Sequence, residues 1–188
     1  MDYGLWEAVE RRTFPGSVSN HHLGTMTGLL FSAYEMNHFK DTYQKAVISN
    51  AKAFAAALNE QGLDVAGDPE ISFTDTHQVI LNVGYGKGAK IARELEENNI
   101  IVNYQATPVE EGFTASGALR MGVSEMTRFG MTPADFETLA GLMADHIKKG
   151  SSVKDEVVKF RDGFTDMQFC FHETDIPSLT TSIIDSLK

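Results

Sequence analysis

Ala118-Leu-Arg-Met-Gly-Val-Ser-Glu-Met-Thr-Arg-Phe-Gly130 sets one cation, Arg120, in a short apolar run, followed by Gly122, a polar turn and a second cation, Arg128. Side chains of a strand alternate faces. Leu119 and Met121 therefore point one way, Ala118 and Arg120 the other. A guanidinium held on a strand is a rigid fork of donors suited to a carboxylate or a phosphate. The plainer alternative is a strand-edge Arg paired with a nearby Asp or Glu, an arrangement that is common and weak.

Outward from that strand, the chain alternates between two rhythms. Downstream, Thr132 and Pro133 read as cap and first residue of a helix that runs to about Lys149, with Phe136, Leu139, Leu142, Met143 and Ile147 inward. Gly150-Ser-Ser reads as a linker, Val153–Phe164 as a further amphipathic helix, and the last twenty residues carry no clear pattern. Upstream, Ile100-Ile-Val-Asn-Tyr104 is a firm strand, Lys87–Asn98 a helix, and His77-Gln-Val-Ile-Leu-Asn-Val83 the best strand of the chain, rich in β-branched residues. Leu63-Asp-Val-Ala66 is a short strand ahead of a Gly67-Asp-Pro-Glu turn.

Before these lies a long helix. Leu23, Met26, Leu30, Ala33 and Tyr34 form one apolar stripe, with Ser19 or Asn20 as its cap. His38–Thr42 interrupts the pattern and suggests a bend. It resumes through Tyr43, Val47, Asn50, Phe54, Ala57 and Leu58 and ends at Gly62. The fold expected is α+β, a small antiparallel or mixed sheet with helices on one face. Residues 1–16 form a lead-in, 17–62 the long connecting helix, 63–150 the α+β domain and 151–188 a helical tail.

Composition bounds what the chain binds. Sixteen Lys and Arg stand against 26 Asp and Glu, a net charge of −10 among 188 residues. That balance disfavours non-specific contact with nucleic acid or an anionic membrane. No apolar run approaches the roughly 20 residues that span a bilayer. The start, Met-Asp-Tyr-Gly-Leu-Trp-Glu, lacks the pattern of a signal peptide. Cys170 is the only cysteine, so no disulfide forms within the chain, and a cytoplasmic location is expected.

Other candidate sites are weaker. Gly84-Tyr-Gly-Lys-Gly-Ala-Lys90 joins a strand to a helix but matches neither the dinucleotide fingerprint nor the P-loop. A flexible turn is the expected reading, and a nucleotide-binding protein the remote one. His21 and His22 are adjacent, so on a helix they diverge by about 100° and do not share a metal. No metal site is expected. His77 opens the central strand and either orients a ligand or bonds to a backbone group. Cys170, between two Phe, reads as packing, and His172-Glu173 as a solvated turn.

Three stretches together carry a resemblance. Phe14-Pro-Gly-Ser-Val-Ser-Asn-His-His-Leu-Gly-Thr25, Tyr43-Gln-Lys-Ala-Val-Ile-Ser-Asn-Ala-Lys-Ala53 and Ser116-Gly-Ala-Leu-Arg-Met-Gly122 resemble serine hydroxymethyltransferase, a fold-type-I pyridoxal-phosphate enzyme. The likeness runs from about Arg11 to Lys149, and Ser-Gly-x-x-Arg-x-Gly is its most specific piece.

The resemblance implies several roles. Arg120 stands where the family binds the substrate carboxylate, and His77 matches a His ahead of a strand, an implied substrate contact. Pro15–Asn20 matches the loop that reaches a neighbouring subunit's cofactor phosphate, with Ser19-Asn20 where the family carries Gly-Gly. Gln105 replaces an Asn near the folate site, which leaves tetrahydrofolate open as the one-carbon carrier.

The family's Schiff-base lysine and ring-nitrogen Asp belong to an upstream domain, so no catalytic residue is expected in this chain. The expected partners are an amino-acid substrate, an N-terminal pyridoxal-phosphate domain and a second copy in a homodimer. The competing reading is a non-catalytic subunit or interaction module derived from the same domain. A bare apolar flank on the long helix favours the enzyme portion; a polar flank favours the module.

Overall fold

The computed structural model describes residues 4–107 and 115–186. Contacts divide the chain into two compact units, residues 1–38 and 39–188.

The first unit begins with α1 (Trp6–Arg11), a short helix in a stretch whose mixed sequence gave no pattern. An irregular wide turn, Arg12–Ser17, follows; Phe14 within it is extended and its bond to Pro15 is cis. The chain leaves this turn extended at Val18. The long helix α2 (Leu23–Glu60) therefore starts beyond the caps expected at Ser19 and Asn20. Leu23, Met26 and Leu29 are all more than half exposed.

The second unit takes in α2 from Phe39 onward. The helix is continuous through His38–Thr42, where the sequence suggested a bend. Val47, Asn50, Phe54, Ala57 and Leu58 are buried, the face the spacing predicts. Gly62 takes a φ of +76° and its N–H bonds the Asn59 carbonyl, which ends the helix.

Four strands follow: β1 (Asp64–Val65), β2 (Gln78–Asn82), β3 (Asn103–Gln105) and β4 (Ala118–Gly122). They form one antiparallel sheet in the order β1-β2-β4-β3. Val79 pairs with Met121 and Leu81 with Leu119, all buried, which makes one face of the sheet apolar. The core joins these residues to Leu95 of α3 (Gly88–Glu97), Phe136 and Met143 of α5 (Pro133–Lys149) and Phe54 and Leu58 of α2.

β3 is shorter than the strand expected from Ile100 to Tyr104. Asn99 takes a left-handed φ of +63° and the Ile100 N–H bonds the Leu95 carbonyl. Ile100 thus completes the end of α3 and is buried there, so the ladder begins only at Asn103.

Between β4 and α5 sits α4 (Ser124–Arg128), where the sequence suggested only a polar turn. It is tied to α2 by buried Asn50, whose amide donates to Thr127 Oγ1 and to the Met131 carbonyl, both at 2.8 Å. Gly150-Ser-Ser is pinned by Asn98: its Oδ1 accepts the Val153 N–H at 2.9 Å and the Ser152 hydroxyl at 3.2 Å. α6 (Lys154–Arg161) then buries Val157, and α7 (Ile176–Ser186) ends the described chain.

Candidate functional site

Antiparallel register decides what surrounds Arg120. Residues directly opposite in such a ladder share a face. Arg120 lies opposite Ile80 of β2 and Asn103 of β3, on the face away from the apolar core. Asn103, Arg120 and Gly122 are exposed. Among the described residues no carboxylate pairs with the Arg120 guanidinium; ion pairs there include Glu7–Arg11, Lys52–Asp75, Lys90–Glu94 and Asp145–Lys149. The strand-edge salt bridge is thus not what the sheet builds from those residues.

His77 is brought to the same place. It immediately precedes β2 and its carbonyl accepts the Val123 N–H at 3.1 Å. Its ring Cδ2 lies 3.7 Å from where a Cβ on Gly122 would stand, and Gly122 is two residues along the exposed face from Arg120. His77, Asn103, Arg120 and Gly122 are among the residues lining one cleft of about 850 Å³, which also takes in core residues such as Met121, Phe136 and Met143 and the carboxylates of Glu125 and Asp162. Two residues singled out in sequence, 43 positions apart, therefore meet through strand pairing (120 − 77). Asn103 was missed. Its signal is present in the alternation of the strand, but its position opposite Arg120 depends on a register that the sequence does not state.

Ser19 and Asn20 belong to the other unit, in the exposed segment between the Arg12–Ser17 turn and the start of α2. Among the described residues neither side chain has a hydrogen-bond partner. A hydroxyl, an amide and the first free N–H groups of a 38-residue helix form a donor set suited to an anion.

The remaining candidates resolve into structure. In the Gly84–Lys90 loop, Gly84 N–H bonds the Gly117 carbonyl at 3.2 Å, Lys87 N–H the Gly84 carbonyl at 3.0 Å and Gly88 N–H the Ser116 carbonyl at 2.8 Å. A Cβ on Gly88 would stand 2.9 Å from Ser116 O and 3.0 Å from Ala118 O, so this glycine lets α3 approach β4. His21 and His22 are exposed, and among the described residues no group of His, Cys, Asp and Glu is arranged to hold a metal. Cys170 is half-buried between Phe169 and Phe171, whose rings sit 6.5 and 5.6 Å from that of Phe39. His172 caps a short turn through its N–H to Asp175 Oδ2. Gln105 pairs across the ladder with Ala118, on the same face as Asn103.

Behind β4, Tyr43 of α2 donates its hydroxyl to the Ser124 carbonyl at 2.9 Å. Burial raises its pKa above the ordinary tyrosine value, against the opposing charge of Arg128. Among the described residues no helix is long and apolar enough to cross a membrane.

Comparison with known proteins follows the same outline. A family model described as serine hydroxymethyltransferase matches residues 1–143. The chain is 40% identical over 174 residues to the serine hydroxymethyltransferase of Pyrobaculum aerophilum, covering 90% of this chain and 40% of that protein. It is 35% identical over 192 residues to that of Sulfolobus acidocaldarius, covering 99% of this chain and 44% of the other. Among solved structures it is similar to the L-threonine transaldolase of Pseudomonas fluorescens, with a TM-score of 0.78, 30% identity, and coverage of 89% of this chain and 40% of that one. The chain thus spans about two fifths of the length of the curated relatives it matches.

Proposed function

The chain belongs to the serine hydroxymethyltransferase family of fold-type-I pyridoxal-phosphate enzymes, and on that premise we propose that it is the C-terminal portion of an enzyme that makes or breaks a bond at an amino acid's α-carbon. The observation that carries this reading is Arg120: an exposed strand arginine without a carboxylate partner among the described residues, facing a cleft with His77. Its fork holds the substrate carboxylate in two hydrogen bonds, which fixes the α-carbon in one orientation. The ladder on both sides of β4 holds the Arg120 backbone rigid, so little is reorganised on binding. His77, at the rim of the same cleft, offers a ring nitrogen to a second polar group of the amino acid.

Ser19 and Asn20 fit the phosphate of the cofactor by chemistry: two unpartnered donors ahead of a helix start. Pyridoxal phosphate, when bound, supplies an electron sink for charge developing at the α-carbon. The cofactor lysine and the ring-nitrogen Asp come from a separate cofactor-binding domain, so this chain by itself is not expected to turn over. The exposed Trp6, Leu23, Met26 and Leu29 support that partnership, since such an apolar run suits a large covering surface. A free-standing module would be expected to carry polar residues there. The covering surfaces are that domain and a second copy of the chain, as in a dimer with shared sites.

The mass of the native gene product in its source cell tests the reading. A polypeptide or stable complex more than twice this chain's 20.7 kDa, carrying a pyridoxal-binding lysine, is expected. A native species of 20.7 kDa with no lysine-bearing partner would overturn it.

A further inference from the structure

We propose that Asn103 is a second substrate-carboxylate ligand: its side-chain amide, across the strand pair from Arg120, binds the same anion and sets its tilt. The proposal rests on the reading of Arg120 as the carboxylate site and adds a residue to it. Three observations lead there. The register places Asn103 directly opposite Arg120, so both side chains leave the sheet on one face. Both are exposed and line the same cleft. Finally, the Asn103 amide is already oriented: its Oδ1 accepts the backbone N–H of Tyr104 at 2.9 Å.

That bond uses the acceptor end of the amide and leaves the NH₂ end. What remains beside Arg120 is therefore a second donor without charge. Two donor groups on adjacent strands select a ligand with at least two acceptor positions, as a carboxylate has. The other neighbour of Arg120 is Ile80, which offers no hydrogen bond. The anion thus meets the Asn103 amide on the β3 side, while on the β2 side the residue directly opposite is Ile80, with Gln78 and His77 further along the cleft. This asymmetry fixes which way the α-carbon projects, something a lone guanidinium does only through its own plane.

The isosteric change Asn103→Asp keeps the oxygen that holds Tyr104 but removes the NH₂ group. Asn103→Ala removes the group without adding charge. The test is a titration of the ¹⁵N-labelled chain with glycine, L-serine and sodium acetate, following the Asn103 side-chain NH₂ and Arg120 Nε–H signals. In the wild type both signals are expected to move together and saturate at one dissociation constant. Asn103→Ala is expected to weaken binding about tenfold, the scale of one hydrogen bond to a charged group, and Asn103→Asp more. The thermal midpoint of Asn103→Asp should match the wild type. Arg120→Gln, which removes the Nε–H signal, should abolish the response of the Asn103 signal. If the Arg120 signal moves but Asn103→Ala binds as tightly as the wild type, Asn103 is not a ligand, and the reading of Arg120 stands. If neither signal moves with any of the three carboxylates, both the proposal and the carboxylate site on Arg120 fall.

Discussion

At the scale of single residues, polar groups in this chain divide by whether the fold already satisfies them. Asn98 uses both ends of its amide, donating to the Glu94 carbonyl and accepting from Ser152 and Val153. Asn103 uses one end, and Arg120 none with a described carboxylate. Satisfied groups of this kind are structural, and unsatisfied ones on a cleft are available to a ligand. Tyr43 belongs to the first kind and gives a pH prediction. Because burial raises its folded pKa above the ordinary tyrosine value of 10.0, the unfolded chain loses that proton first as pH rises. Its contribution is fully present below pH 10 and lost as pH climbs through the folded value. Urea unfolding of the wild type should weaken more steeply above pH 10 than that of Tyr43→Phe; equal slopes would show that Tyr43 is not held protonated by the fold.

At the scale of elements, boundaries follow from what each end is bonded to. α5 starts where expected because Asp135 Oδ2 accepts the Thr132 N–H at 2.8 Å and its hydroxyl at 2.6 Å, with Pro133 at the first helical position. β3 starts late because Ile100 is bonded to the end of α3. The junction of α3 with β4 is tight, since a Cβ on Gly88 would meet the backbone oxygens of Ser116 and Ala118. Gly88→Ala would force α3 off the strand that carries Arg120, at a cost of about 1–3 kcal/mol. A lower midpoint in chemical denaturation is expected, together with shifts of the β4 amide signals. An unchanged midpoint would mean that the helix gives way without resistance.

At the scale of the whole molecule, burial is uneven. The core cluster lies in residues 47–157, while Leu5, Trp6, Val9, Leu23, Met26 and Leu29 are all at least half exposed. Exposed apolar surface of this kind drives association. The chain is therefore expected to self-associate in a concentration-dependent way in sedimentation. Replacing Leu23, Met26 and Leu29 with Lys should shift it towards monomer and leave the unfolding transition of residues 39–188 in place. Sedimentation unchanged by the triple substitution would show that this face is not what associates.

The sequence by itself determined the order of most elements and both faces of β4. Those features depend on local periodicity, capping groups and the alternation of a strand, which need no knowledge of distant residues. It also singled out Arg120 and His77, through a motif and a resemblance. Only the tertiary structure decided that Asn103 stands opposite Arg120, that His77 lies over Gly122, and that Gly88 lets α3 close on the backbone of Ser116 and Ala118. Each of those depends on which strand pairs with which and in what register. A slip of one residue would turn every side chain of a strand to the other face. That choice is made by burial of Val79, Leu81, Leu119 and Met121 against helices far away in the chain.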